Sequence, residues 1–442
     1  MTPIAGELED SFTLAGLPRV AVELGRRVAP RLRAGHPWIY RTEIEAISPD
    51  PASPALVRVT SGRGEFIGHG IYNPRSVIAV RLLTRSPDQA PDDELIRRRA
   101  KAALELRERE LPGVGSPDSA CRLIYAEADG LPGLIVDKLG PGIVFQSLAI
   151  AAEACLGPVM EELRRTLAPA WIVERNDAGV RTLEGLPERR GPWPSGAEAP
   201  PGLVEIAEGG LRFLISPMEG QKTGFYLDQR GNRALVRDLV RRLASSQSNE
   251  AGTRPISILD CFSYSGGFAV AAAVGLSECG VSGRLLLVDS SDAALELARA
   301  NLELNGFTGQ VDLRQENAFD VLRQLQRDSR RTGPGLFDLI ILDPPPFARE
   351  RRMLPGAMRG YKEINLRAMH LLRPGGYLVT CTCSHHVSRE AFGEVLLAAA
   401  ADAGVGLRVV AMTGHPPDHP VLLGHPESDY LRCTVLERQA GE

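Results

Sequence analysis

From Val204 to the end of the chain, apolar runs alternate with amphipathic stretches. "ISILDCF", "RLLLVDSS", "VDLRQENAF", "LFDLIILDPP" and "GGYLVTCTC" read as strands. Between them, "FAVAAAVGL", "DAALELARANLELNG", "FDVLRQLQR" and "YKEINLRAMHLL" read as helices. Continuous apolar strands alternating with helices predict a doubly wound, mainly parallel α/β sheet. One helix can be followed residue by residue: after Ser291, Leu295, Ala298 and Leu302 share a face, and Gly306 ends it.

Upstream the pattern differs. From Val20 to Leu83 the pieces are short and β-like, with alternating "ALVRVTS" and the run "VIAVRLLT", which predicts a small β-barrel. A charged helix follows over Glu94–Arg109; then "GLIVDKLG", "GIVFQSLAI", a helix near Ala152–Leu167 and "AWIVER" form a small α+β region. Breaks at "RSPDQAPDD" and, more strongly, at "PERRGPWPSGAEAPPG" separate these parts. The resulting plan is a loose tail over 1–18, a first domain over 19–90, a middle domain over 91–200 and a large domain over 201–442.

Composition narrows the class. No apolar run nears the eighteen or so residues of a membrane helix, and "MTPIAGELEDSF" has acids where a signal peptide has bases. A cytoplasmic protein is expected. The seven cysteines are scattered and none forms a CxxC pair, which speaks against a disulfide framework or a zinc ribbon. Net charge is −4, yet Arg19, Arg26, Arg27, Arg31, Arg33 and Arg41 crowd one N-terminal stretch. Such a face can grip phosphates while the whole chain stays acidic; a solvated surface is the plainer alternative.

In a doubly wound sheet the ligand sits beyond the carboxyl ends of the strands. The first strand ends "LDCFSYSGGF", where Phe262, Ser263, Tyr264 and Gly266 lie on the loop into the helix. The GxGxxG dinucleotide fingerprint is absent. Asp289 ends the second strand, suited to ribose hydroxyls; Asn317 follows the third, suited to an adenine edge; "DPPPF" (Asp343–Phe347) ends the fourth. Taken in order, these suit S-adenosylmethionine better than NAD.

These segments carry a resemblance. "RAGHPWIYRTEI" and "GIYNPRSVIAVRLL" are similar to a PUA domain, "RLIYAEADGLPGLIVDKLG" and "ERNDAGVRTLEGL" to a middle domain, and "GQKTGFYLDQRGNR", "LDCFSYSGGFAV", "DPPPF", "RGYKEIN", "TCSHH" and "DHP" to a catalytic domain. Together they resemble the 23S ribosomal RNA large-subunit methyltransferase I family, from about Arg19 onward. The resemblance implies a PUA-like β-barrel, a small α+β domain and a class I, Rossmann-like methyltransferase sheet. It implies S-adenosylmethionine as cofactor and 5-methylcytosine in 23S ribosomal RNA as product. It also implies a lid over the cofactor with Phe225, Tyr226 and Asp228 as contacts. Two departures stand out. Pro346 occupies the place of a usual Lys, with Lys362 the nearby candidate cation, and Asn317 stands where an acid is common.

Carbon 5 of cytosine becomes nucleophilic only when a thiolate adds to C6. The resemblance aligns that thiolate with Cys383 in "TCTCSHH"; strand four ends beside strand five, so Asp343 can flank the same pocket and bind the cytosine's N3 and amine. The same stretch could be read as a metal cluster or a redox pair. Ligands this close in an extended chain rarely converge on one ion, and one residue between sulfurs strains a disulfide; no metal is expected. Cys381 reads as a packed strand residue. Arg26, Arg27, Arg31, Arg33 and Lys362 are the candidate RNA contacts, ribosomal RNA the expected partner, and a homodimer is compatible. The rivals are an N-methylguanine enzyme on the same fold and a non-enzymatic RNA-binding assembly factor, with an NAD-dependent dehydrogenase more distant.

Overall fold

The computed structural model describes residues 13–247, 254–332, 335–348 and 350–440. The expected loose tail lies outside the described residues over 1–12. The described part, 13–18, is not loose: Thr13 caps a short 3-10 turn at Leu14–Gly16, and Leu14 and Leu17 are buried in the core beside Ile96 and Leu123. No helix among the described residues is long and apolar enough to cross a membrane.

The chain divides into two compact units. The first holds the residues up to Ile206 together with Ser216–Leu227 and Pro417–Ser428; the second holds Ala207–Ile215, Asp228–Pro416 and the residues from Asp429 on.

In the first unit, six N-terminal strands form one sheet in the order Trp38–Ile39, Val80–Thr84, Phe66–Tyr72, Ala55–Ser61, Arg19–Leu24, Ile44–Ser48. Its two edges, Ile39 and Ile44, are joined by residues 40–43 alone. Five steps of chain reach roughly 17 Å, whereas six strands laid flat span about 24 Å, so the sheet must curl. That is the physical content of the expected barrel: a curled sheet, with Val22, Leu24, Val57, Val59 and Val80 filling the inside. Gly70 makes the curl possible, since a Cβ there would meet the Arg81 carbonyl oxygen at 2.4 Å.

A second, five-stranded sheet runs in the order Arg189–Pro192, Ile172–Asn176, Gly142–Ser147, Leu134–Leu139, Ala120–Tyr125. Helices Asp93–Glu110 and Ile150–Leu167 share its core. Asp92 starts the first of these helices by accepting from the Leu95 N–H at 2.7 Å.

The second unit is the expected α/β sheet. In chain order its elements are α1 (Arg230–Gln247), β1 (Ile256–Cys261), α2 (Gly267–Glu278), β2 (Gly283–Asp289), α3 (Asp292–Leu304), β3 (Gln310–Gln315), α4 (Ala318–Thr332), β4 (Phe337–Leu342), α5 (Leu354–Leu371), β5 (Leu372–Thr382), α6 (Arg389–Ala403), β6 (Leu407–Thr413) and β7 (Arg432–Arg438). The strands lie in the order β3-β2-β1-β4-β5-β7-β6. The first five are parallel to their neighbours, and β7 is antiparallel to both β5 and β6. Leu295, Ala298 and Leu302 are buried on α3, and Ser291 caps it. The order reverses between β1 and β4, so a crevice opens beyond their carboxyl ends.

Candidate active site

The loop after β1 is held in an uncommon shape. Phe262 and Tyr264 both have positive φ, 62° and 46°, without being glycine. Each such residue costs on the order of 1 kcal/mol and persists only where its surroundings enforce it. Here the N–H groups of Phe262 and Ser263 donate to the Val288 carbonyl at 2.8 and 3.1 Å, and Tyr264 N–H donates to Asp289 Oδ2 at 2.9 Å. The other oxygen of Asp289 accepts from Ser291 N–H at 2.9 Å. Asp289 thus shapes both loops, and each carboxylate oxygen keeps a second lone pair. Gly266 begins α2 at φ 76°, where a Cβ would stand 2.9 Å from that of Ala298.

Among the described residues, three buried polar atoms around this loop find no hydrogen-bond partner: Asp260 Oδ2, Ser263 Oγ and Ser265 Oγ. Buried atoms left this way cost about 1–3 kcal/mol each and call for a partner from outside the chain. Burial first, then the charges of Asp343 and Asp289, push the Asp260 carboxyl well above the usual range, although the Ala269 N–H opposes the shift. A buried acid, two serine hydroxyls and the start of α2 suit the polar groups of a nucleoside that carries an amino acid through a sulfonium, such as S-adenosylmethionine.

Beyond the loop stand aromatic rings. Phe262 lies 6.5 Å from Phe319 and 6.4 Å from Phe347, Phe319 lies 5.7 Å from Phe347, and Tyr361 lies 4.6 Å from Phe347. Asn317 is exposed, and its side-chain oxygen accepts from Phe319 N–H at 2.9 Å, so it turns the chain into α4.

Asp343 and Cys383 follow β4 and β5, which are adjacent parallel strands. Cys383 is half-buried, and its Sγ lies 3.7 Å from the carbonyl oxygen of Pro344, the residue after Asp343. Gln229 Nε2 donates to Asp343 Oδ1 at 2.9 Å. Its orientation is enforced from behind: Asn232 Nδ2 donates to Gln229 Oε1 at 2.5 Å, and Thr413 Oγ1 donates to Asn232 Oδ1 at 2.6 Å. Cys381 is wholly buried opposite Cys433. Its hydrogen bond with Cys433, then burial, push its thiol well above the ordinary range. It is a packed, protonated strand residue.

The remaining sequence candidates fall elsewhere. Asp228 is buried in the second unit and accepts from the Tyr430 hydroxyl. Phe225 and Tyr226 belong to the first unit; Phe225 is buried, and the Tyr226 hydroxyl donates to Gln221 while Lys222 lies 4.5 Å from its ring. Lys362 pairs with Asp402 of α6 at 2.7 Å. Arg26 and Arg27 are exposed, and Arg33 forms an exposed pair with Glu65. Arg31 donates to the Trp38 carbonyl at 2.6 Å, pairs with Glu43 and stacks 4.7 Å from the Tyr40 ring.

One cluster was not foreseen. In the first unit His36, His425 and Glu427 bring ligand-type atoms within 4.8 Å of one another. The hydrogen bonds argue against an ion there. His36 Nδ1 faces two donors, Trp38 N–H at 3.2 Å and Arg31 at 3.1 Å, so its proton sits on Nε2, towards Glu427 at 3.2 Å. A metal-bound histidine needs the reverse arrangement.

Sequence reasoning passed over Asp260, Gln229, Asn232, Thr413 and Tyr361. Gln229 stands beside the chosen Asp228 within "QKTGFYLDQR", and Tyr361 within "RGYKEIN"; their partners come from distant strands.

Comparison with known proteins bears on the fold and the cofactor. Residues 22–85 match a model of the PUA-like domain, and residues 150–426 match a model of S-adenosylmethionine-dependent methyltransferases. The chain is 35% identical to ribosomal RNA large subunit methyltransferase I of Erwinia tasmaniensis, over 91% of this chain and 96% of that protein. It is 34% identical to the Klebsiella pneumoniae protein of the same name, over 95% of this chain and 98% of that one. Among solved structures, a chain from Streptococcus mutans described as a SAM-dependent methyltransferase shares the fold. It has a TM-score of 0.73 at 18% identity, and the match covers 94% of this chain and 99% of that one.

Proposed function

Because the chain belongs to the ribosomal RNA large subunit methyltransferase I family of S-adenosylmethionine-dependent enzymes, we propose that it methylates carbon 5 of a cytosine in large-subunit ribosomal RNA, with Cys383 as nucleophile. The observation that carries the reading is the approach of Cys383 Sγ to the Asp343–Pro344 segment, 3.7 Å from the Pro344 carbonyl.

Bound S-adenosylmethionine supplies an electrophilic methyl group on a sulfonium centre. Asp260, Ser263 and Ser265 offer the buried polar atoms that would hold its charged end, and Asp289 offers lone pairs to its ribose. The aromatic rings of Phe262, Phe319 and Phe347 exclude water from the crevice. Cys383 adds to C6 of a cytosine taken out of its stack. The electron pair of the C5–C6 double bond moves to make C5 the nucleophile. Asp343, in its acid form, donates its proton to N3 as negative charge gathers there and accepts from the exocyclic amine through its other oxygen, with Gln229 fixing the direction of the carboxyl group. C5 takes the methyl group as the sulfonium S–CH3 bond breaks and the thioether leaves; the C5 proton then passes to a base, its electron pair re-forms the C5–C6 double bond, and Cys383 departs as the thiolate. Arg26, Arg27, Arg33 and Lys362 are the proposed phosphate contacts.

The test is incubation of ribosomal RNA with labelled cofactor and either the wild-type protein or Cys383→Ser, followed by nucleoside digestion and mass spectrometry. Labelled 5-methylcytidine from the wild type and none from the variant is expected. A methylated guanosine still formed by Cys383→Ser would overturn the reading in favour of amino-group methylation.

A further inference from the structure

Cys383 lies just past the end of β5, where a strand terminus ordinarily has some freedom. The two residues flanking it have none. Thr382 and Ser384 are fully buried, and both hydroxyls meet one atom, the hydroxyl of Tyr361 on α5. Thr382 Oγ1 donates to it at 2.8 Å, and it lies 2.9 Å from Ser384 Oγ. Ser384 N–H donates in turn to Thr382 Oγ1 at 3.2 Å, and Ala348 N–H reaches Ser384 Oγ at 3.5 Å from the loop that begins at Asp343. Side chains alternate along an extended chain, so holding 382 and 384 against the helix directs 383 the other way. The Cys383 sulfur lies 3.7 Å from the Pro344 carbonyl oxygen.

We propose that Tyr361 is the positioning residue for the Cys383 nucleophile, its buried hydroxyl cross-linking the residues on either side of the cysteine to α5. The proposal rests on the reading of Cys383 as the attacking group. Tyr361 is fully buried, and it acts by fixing the angle from which sulfur meets C6. A nucleophile displaced by about 1 Å can lose on the order of a hundredfold in rate. The ring itself packs on Phe347 and Phe392, with centroids 4.6 and 5.7 Å away, and phenylalanine keeps both contacts.

The test compares Tyr361→Phe with the wild type and with Cys383→Ser on ribosomal RNA. In Tyr361→Phe, kcat should fall about 10–100-fold. The KM for RNA and the affinity for S-adenosylmethionine should stay within about twofold. Covalent capture of 5-fluorocytosine-substituted RNA should slow by the same factor as kcat. Ser384→Ala and Thr382→Val each remove one bond to the same hydroxyl and should show a smaller loss of the same kind. They carry the test should Tyr361→Phe fail to fold. An inactive Cys383→Ser beside variants with wild-type kcat overturns this proposal alone. A Cys383→Ser that still methylates overturns the nucleophile reading and this proposal with it.

Discussion

In the first unit Arg107 is wholly buried and holds both oxygens of Asp129, at 2.6 and 2.7 Å, while also donating to the carbonyls of Arg122 and Asp418. At the carboxyl edge of the catalytic sheet Asp260 is as deeply buried, but the charges that act on it are those of Asp343 and Asp289. The same contrast recurs. Arg122 grips Asp137 at 2.8 and 2.9 Å. Arg81 and the Trp38 indole meet Glu127, where burial pushes the carboxyl up and these partners more than offset it. These three buried carboxylates of the first unit are each matched by a guanidinium inside the chain. Like charge gathered without a guanidinium beside Asp260 has no structural benefit, and it is the signature of a site that a ligand completes.

The strongest way to break this contrast is at Arg107. Arg107→Ala leaves Asp129 and two carbonyls buried without their donor, and should destabilise the protein by about 3–5 kcal/mol. Denaturant unfolding checks it; a loss under 1 kcal/mol would mean that the buried pair is incidental.

On the catalytic side, Gln229→Leu removes the donor to Asp343. A hydrogen bond to a charged group is worth about 1.5–3 kcal/mol, so kcat should fall about 10–100-fold, while the melting temperature moves by only a few degrees. Steady-state kinetics and calorimetry separate the two effects.

Glu427 sharpens the comparison from the first unit. Its carboxyl is held down at about 2, chiefly by the hydrogen bond from His425, against the opposing effect of burial. Because the folded value is depressed, its stabilisation is present above about pH 4.5 and lost as pH falls through about 2. Glu427→Gln should therefore cost about 1–2 kcal/mol at neutral pH, after discounting for its partial exposure, and nothing in strong acid. Unfolding followed against pH tests it.

Asp260 should show the opposite sign. Its folded value is raised, so its stabilisation is present at low pH and lost as pH climbs through the folded value. Without cofactor, Asp260→Asn should match the wild type in acid and exceed it in stability at higher pH. Parallel stability curves would mean that the carboxyl is already ionised in the folded protein.

The alternation of apolar runs and amphipathic helices was enough to read the catalytic sheet and the α3 face of Leu295, Ala298 and Leu302, because helix and strand periods are local. It could not reveal that β7 enters between β5 and β6, since that pairing joins residues far apart in sequence. The curl of the N-terminal sheet was legible only as a barrel; what enforces it is the four-residue link between edge strands. A run of charges does not say which of them the fold also uses, as Arg31 does in pairing with Glu43. Gln229 and Tyr361 escaped notice because their importance lies in partners on other elements, Asp343 in one case and Thr382 with Ser384 in the other. Phe262 and Tyr264 carry positive φ without the glycine that normally signals it.

The central claim is that sulfur at position 383 bonds to C6 of a cytosine. The direct measurement is mass spectrometry of the protein after incubation with S-adenosylmethionine and 5-fluorocytosine-substituted large-subunit RNA, where fluorine at C5 blocks release. A peptide containing Cys383 joined to one methylated fluorocytidine is the predicted result. Full methylation of ordinary RNA with no trapped peptide, or a nucleotide joined to any other residue, would contradict it.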